Sequence, residues 1–383
     1  MSKLIAIISY NINSKHLNYG AALHSYAFQK YLEKMGCKSV IVNYTPLKIE
    51  NYHIKYPILN PPYANTINAW GYHFVNWGVG FFSNLQKYYK FQRFFRNNTN
   101  ITKKNYKHKD LIQLTRIENF DFNIFVCESD VIWKAYQDIK FDDVFYLNIP
   151  AAEGKIKIAY SPSLGSKPFS PNEAEIFKKL VSPFSAISIR ESQGADYVTR
   201  LLGKKIEWTL DPTLLLEAKD YDKILKKPKE KNYILVYNCM TNDLTMLKEA
   251  EEYAKRKGKK IIEISNWMAN YYHFRHKIKT NIGIEEFLGY FKYADEIICN
   301  AFHGFCFAII FKKEVFLFQR DTSDFRMLNI SDALGLSSRL ISVNDKHIPY
   351  QIKKIDFDKV YQQLNIHKIR SELFIKQNII NVT

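Results

Sequence analysis

Short runs of aliphatic and β-branched residues recur along the chain. Each is followed by a polar turn and then by a stretch whose apolar positions repeat at helical spacing. Leu4-Ile5-Ala6-Ile7-Ile8 is the first such run. A loop from Tyr10 to Tyr19 follows, and Gly20-Ala21-Ala22-Leu23 opens a helix to about Met35, with Leu23, Ala27, Tyr31 and Met35 on one face. Gly36 closes that helix, and Ser39 to Tyr44 is the next strand. Strand, helix and strand in this order form a βαβ unit, which implies parallel pairing and a right-handed crossover. Uniformly apolar runs mark strands buried on both faces. Further strands are predicted at Ile124–Cys127, Ile156–Tyr160 and Ala186–Ile189. They run into Glu128-Ser129-Asp130, Ser161-Pro162-Ser163-Leu164-Gly165 and Arg190-Glu191-Ser192. One edge of the sheet therefore collects polar groups, and open α/β folds bind ligands at that edge.

A second α/β series begins after residues 217–231, which are dense in charge, contain a Pro and read as a linker. Tyr233–Tyr237 is a strand, Leu244–Lys257 a helix and Lys260–Ile264 a strand. Glu286 to Ala294 then has a single apolar stripe at helical spacing, Glu296–Cys299 is a buried strand, and Phe305–Phe311 an apolar helix. Val315–Phe318 adds a strand, and the last thirty residues read as helical, with Val360, Leu364, Ile369, Leu373 and Ile375 apolar. The predicted organisation is an N-terminal Rossmann-like domain (1–216), the linker (217–231), a C-terminal Rossmann-like domain (232–345) and a helical tail (346–383), the two domains facing across a cleft.

Between the Glu296–Cys299 strand and the next helix lies Asn300-Ala301-Phe302-His303-Gly304. A glycine there lets the backbone approach a ligand, and free helical N–H groups suit an anion. On the local pattern alone His303 is either a functional group or a satisfied histidine at a helix start. Asn18-Tyr19-Gly20-Ala21 sits in the equivalent place in the first half and suits a phosphate or sugar only weakly.

The chain has 383 residues, 46% hydrophobic and 24% charged, an ordinary globular mix with room for two cores. Its formal net charge of +17 and pI near 9.3 favour acidic partners: nucleic acid, anionic lipid or phosphorylated substrates. The motifs of nucleic-acid modules are missing, which argues against the first. Cys37, Cys127, Cys239, Cys299 and Cys306 are scattered, without metal-ligand spacing, and fit a reducing cytoplasm. The N-terminus lacks the layout of a signal peptide, and no apolar run is long enough to cross a membrane. A cytoplasmic protein is expected.

Residues 51–110 stand apart as an insertion. Trp70, Phe74, Trp77, Phe81, Phe82, Leu85, Tyr88, Tyr89, Phe91, Phe94 and Phe95 interleave with Lys87, Lys90, Arg93 and Arg96. Such a segment can lie in a membrane interface, at the inner face of the plasma membrane. Alternatively its aromatics pack on the sheet and its cations form a solvated face.

Asn18-Tyr19-Gly20-Ala21-Ala22-Leu23 resembles the opening motif of the polysaccharide pyruvyl transferases. Ser129-Asp130 with Trp133 is similar to that family's Gly-Ser-Asp-Gln-x-Trp, Ile189-Arg190-Glu191 to its Val-Arg-Glu/Asp, and Leu210-Asp211-Pro212-Thr213 to its Asp-Pro-Thr. Phe302-His303-Gly304 resembles its Ser-Phe-His-Gly signature, with Arg326-Met327, Leu334-Gly335-Leu336 and Arg370-Ser371 following in register. The ordered set spans nearly the whole chain. Glu128 stands where the family has Gly, Val131 where it has Gln, and Asn300-Ala301 replace the residues before Phe-His-Gly.

The resemblance implies a GT-B-like fold and a donor, phosphoenolpyruvate, whose pyruvate is moved onto a hydroxyl pair of a surface-polysaccharide precursor as a ketal. It implies no cofactor and no metal. That chemistry must protonate the enol carbon to make C2 electrophilic, and a histidine titrates near working pH. His303 is the candidate acid. Arg190 is the first candidate for the donor's carboxylate or phosphate and Arg326 the second, with Phe302 and Gly304 beside them; each arginine could instead be a structural ion pair. Asn18, Tyr19, Gly20, Ser129 and Asp130 are candidates for the acceptor, expected to be a lipid-linked saccharide or polysaccharide. The alternative is a GT-B glycosyltransferase using a nucleotide sugar, for which Glu263 and Glu285 are the candidate ribose-binding carboxylates.

Overall fold

The computed structural model describes residues 3–13, 17–62, 65–136, 141–165, 168–238, 244–265, 276–319, 325–344 and 347–382. Cys239 lies outside them. Two six-stranded sheets, parallel throughout, form the frame. The first contains β1 (Leu4–Ile8), β2 (Lys38–Ile41), β3 (Ile124–Glu128), β4 (Ile156–Tyr160), β5 (Ala186–Ile189) and β6 (Glu207–Trp208), in the order β2-β1-β3-β4-β5-β6. The second contains β7 (Tyr233–Asn238), β8 (Lys260–Ser265), β9 (Lys277–Lys279), β10 (Glu296–Cys299), β11 (Glu314–Phe318) and β12 (Leu340–Ile341), in the order β12-β11-β10-β7-β8-β9. Both have the switch-point order of a doubly wound sheet, and the chain is α/β with two Rossmann-like domains in a GT-B-like arrangement.

The sheets are buried because their strands are apolar on both faces: Ile5 to Ile8 and Ile234 to Val236 have at most 1% of their surface exposed. One continuous core joins the facing layers of the two domains. It combines Ile5, Leu23 and Phe28 with Leu235, Phe287 and Phe307. Separate clusters cover the outer face of each sheet.

Local signals set the helices. Asn18 caps Tyr19–Lys34 through its side-chain oxygen, which accepts from Gly20 N and Ala21 N. Ser170 and Glu173 form a capping box on Pro171–Val181. The helix expected at Phe305 begins at Phe302, so His303 is in its first turn. The charged linker contains a short helix, Ala218–Asp222, whose buried Tyr221 donates to Thr213 O. The tail helix, Phe357–Ile375, returns to the first domain: Phe374 packs on Tyr160, and Leu210 N donates to Ser371 Oγ at 2.9 Å.

Candidate active site

The polar turns at the carboxyl ends of both sheets meet between the domains. Ser129 and Asp130 leave β3 with φ of 46° and 53°, the left-handed region that residues with a Cβ seldom enter. That turn aims Ser129 Oγ–H at Asp211 Oδ2, 2.7 Å away. Arg190, following β5, donates from Nη1 to the same oxygen at 3.0 Å and from Nε to Glu191 at 3.3 Å. The face of its guanidinium lies over the Phe302 ring, 4.8 Å from the centroid. The other oxygen of Asp211 accepts from Thr213 N and Oγ. From the second domain, His303 Nε2 stands 3.4 Å from Asp211 Oδ2. Asp211 is thus a fully buried hub that both domains share. Burial pushes its carboxyl up, but His303, Arg190 and His24 outweigh it and hold the carboxyl well below the usual carboxylate range.

Behind this hub is a second pair. His24, in the middle of the helix Tyr19–Lys34, donates from Nδ1 to Glu128, 3.0 and 3.1 Å from its two oxygens, and Ser25 Oγ donates to the same carboxylate. Nε2 of His24 is 3.5 Å from Asp130, and its ring is nearly parallel to that of His303 at 5.8 Å. Burial opposes the charge on His24, but Glu128 and Asp130 win and raise it to about 10. His303 behaves oppositely: burial, helped by the positive His24 and Arg190, lowers it, and Asp211 recovers only part. The two buried histidines are thus shifted in opposite directions, His24 toward the imidazolium and His303 toward the neutral imidazole.

Three buried nitrogens of this cluster, His24 Nε2, Arg190 Nη2 and His303 Nε2, have no hydrogen-bond partner among the described residues. An unsatisfied buried donor costs about 1–3 kcal/mol, more when charged. Two of them already face carboxylates, His24 Nε2 at Asp130 and His303 Nε2 at Asp211, which leaves Arg190 Nη2 as the donor open to an anionic or oxygen-rich ligand.

The expected site residues divide into those that converge and those that support. Arg190, His303, Ser129 and Asp130 converge. Phe302 is the platform under Arg190. Arg326, in the helix Phe325–Ala333, acts electrostatically on Glu191 beside Arg190, and Asn329 of that helix bonds Ser192 across the cleft. Asn18 caps its helix, and Tyr19 is buried, stacked on Phe287 with its hydroxyl donating to Ile282 O. Their side chains are engaged in the cap and in packing between the domains. Gly304 is where the helix closes on the strands: a Cβ would stand 2.8 Å from Tyr237 and 3.0 Å from Cys299 Cβ.

Gly20 carries a sharper constraint, since a Cβ would stand 2.1 Å from His303 Nδ1. Gly20→Ala is expected to displace the imidazole or the helix and to cost roughly 1–3 kcal/mol. Thermal unfolding with activity at matched folded fraction checks this, and activity should fall further than stability alone explains.

Sequence reasoning missed His24, the role of Glu128, and Asp211 as hub. Asp211 had a signal in its Asp-Pro-Thr context. His24 had none, because its partner Glu128 is 104 positions away.

The polysaccharide pyruvyl transferase family model matches residues 18–322. No curated protein matches the chain. Among solved structures, the Methanocaldococcus jannaschii UDP-GlcNAc 2-epimerase in complex with UDP-GlcNAc and UDP is similar at 14% identity and TM-score 0.44, over 96% of this chain and 92% of that one. The UDP-N-acetylglucosamine 2-epimerase from Rickettsia bellii is similar at 9% identity and TM-score 0.43, over 99% of each chain. MurG of Acinetobacter baumannii is similar at 11% identity and TM-score 0.37, over 98% of this chain and 94% of that one. The matched span contains Gly20, Ser129, Arg190, Asp211 and His303, and the chain belongs to the polysaccharide pyruvyl transferase family.

Proposed function

We propose that the protein transfers pyruvate from phosphoenolpyruvate to two hydroxyls of one sugar in a surface-polysaccharide precursor, capsular or exopolysaccharide, carried on a lipid. The supporting observation is Arg190 Nη2, a buried donor with no hydrogen-bond partner among the described residues, close to His303 at the shared edge of both domains. Arg190 offers its remaining N–H groups to the donor's carboxylate or phosphate, and the charged His24 offers a second cation. The donor's negative charge stabilises a proton on His303, which then passes it to the donor's C3. The first hydroxyl, oriented by Asp130, adds to C2 and passes its proton to the donor's phosphate. The bond from C2 to the bridging oxygen then breaks, phosphate leaves with that proton, and the second hydroxyl closes the ketal and returns its proton to His303. In net, one hydroxyl proton ends on the new methyl group and the other on phosphate. Asp211 holds Arg190 and His303 at fixed spacing, so little reorganisation is needed when charge develops. This scheme calls on no cofactor.

The nucleotide-sugar alternative finds less support. The Glu263 carboxylate is engaged by His276 at 2.7 Å and Asn238 at 3.4 Å. Incubation with phosphoenolpyruvate and a lipid-linked saccharide should release phosphate and add the mass of a pyruvate ketal to the glycan. Glycosyl transfer from a nucleotide sugar, with phosphoenolpyruvate untouched, would decide for the alternative.

A further inference from the structure

Among the described residues no helix is long and apolar enough to cross a membrane. The helix Ile67–Val79 has its amphipathicity reversed relative to the helices of a soluble surface. Ile67 is 91% exposed, Phe74 68% and Val75 54%, and Trp70 and Gly71 complete the stripe at helical spacing. On its opposite side Asn76 is buried and His73 bonds Ile58 O at 3.1 Å. The next helix, Phe81–Asn98, continues the pattern: Phe82 is 74% exposed, while Asn84 is buried and donates to Lys55 O. Charge is as one-sided as hydropathy. From residue 51 to 109 there are nine Lys and Arg and no Asp or Glu, with Arg93, Arg96, Lys103 and Lys109 exposed.

We propose that these two consecutive helices, joined at Gly80, are a docking surface for an anionic lipid bilayer, with the Ile67–Val75 stripe inserted at the headgroup boundary. A helix of 13 residues is about 20 Å long, too short to span and long enough to lie in the interface. Apolar and aromatic side chains with no acid among them match a negative surface; a protein partner or a second copy would not require so long a stretch free of carboxylates. The placement also gives the surface a use. The inner side of Phe81–Asn98 packs Phe91 on Tyr19, one residue before the Gly20 that touches His303, and Lys90 binds Glu286 of the second domain at 2.7 Å. A docked helix pair would therefore hold both domains, and the cleft between them, beside the surface on which a lipid-carried acceptor arrives.

Flotation with vesicles of phosphatidylglycerol and phosphatidylcholine tests this, using the full chain and the double variant Phe74→Ser, Val75→Ser. Both positions are solvent-exposed, so the melting temperature should hold. The parent is expected to float with anionic vesicles at low salt and to be released at high salt. The variant should lose at least about tenfold in partition. A third variant, Arg93→Gln with Arg96→Gln, should reduce the salt-sensitive part. No flotation with anionic vesicles at low salt, or flotation unchanged in the double variant, overturns the proposal. So does self-association in the absence of lipid that the double variant abolishes. The vesicle measurement is independent of the transfer reaction, so failure of either reading leaves the other testable. Pyruvylation of a water-soluble saccharide should be equal in parent and double variant.

Discussion

His303→Gln is expected to lower kcat by at least about 10²-fold while leaving donor affinity within a few-fold. Gln retains an N–H near Asp211 but cannot carry the proton. The neighbours of His303 also fix the pH dependence. Burial, His24 and Arg190 hold its pKa below the ordinary 6.5, against Asp211. An acid must be protonated to act, so kcat/KM for phosphoenolpyruvate, which reports on the free enzyme, should fall as pH rises through that depressed pKa. The bound donor brings negative charge and raises the pKa, so kcat should persist to higher pH than kcat/KM. Steady-state kinetics across pH with an isothermal binding measurement separate the two. A well-folded His303→Gln protein with near-normal turnover would remove His303 from the chemistry.

Arg190→Lys should weaken donor binding by roughly 10- to 100-fold, the equivalent of one lost charge-assisted hydrogen bond of about 1.5–3 kcal/mol. Lys keeps the charge. It loses the fork that lets Nε hold Glu191 and Nη1 hold Asp211 while Nη2 remains for the ligand. It also loses the flat face that stacks on Phe302. Stability will fall as well, because Asp211 and Glu191 are buried and lose part of their partner. Binding therefore has to be measured under conditions where the variant is folded. If it then binds phosphoenolpyruvate as tightly as the parent, Arg190 is a structural ion pair and the anion site lies elsewhere.

The frame was legible because it rests on local chemistry. β4, β5 and β10 coincide with their apolar runs, and the polar turns that follow them are the ones that meet in the cleft. The edge strands β6, β9 and β12, of two or three residues each, were not, because a period cannot show in so short a run. Pro171–Val181 carried a readable sign, Ser170 and Glu173 around a proline, that hydrophobic periodicity alone passes over. The site was legible to the extent that its residues sit in turns. His24 sits inside a helix and gains its charge from Glu128 and Asp130, a relation that exists only after the sheet has formed. The same relation accounts for a departure from the family pattern. Glu128, where the family has Gly, is buried and satisfied by His24, Ser25 and the cluster behind the hub. A second departure, Asn300, is buried and donates to Asn238 of β7 at 3.0 Å.

The most direct test of pyruvyl transfer follows which bond of the donor breaks. Phosphoenolpyruvate labelled with heavy oxygen at the bridge between C2 and phosphorus is incubated with the protein and a saccharide acceptor, and the released phosphate is examined by mass. Attack at C2 breaks the carbon–oxygen bond, so the label is expected in phosphate, at one equivalent per ketal formed. Label retained on the pyruvyl carbon, with phosphate free of it, would mean cleavage at phosphorus and would contradict the mechanism.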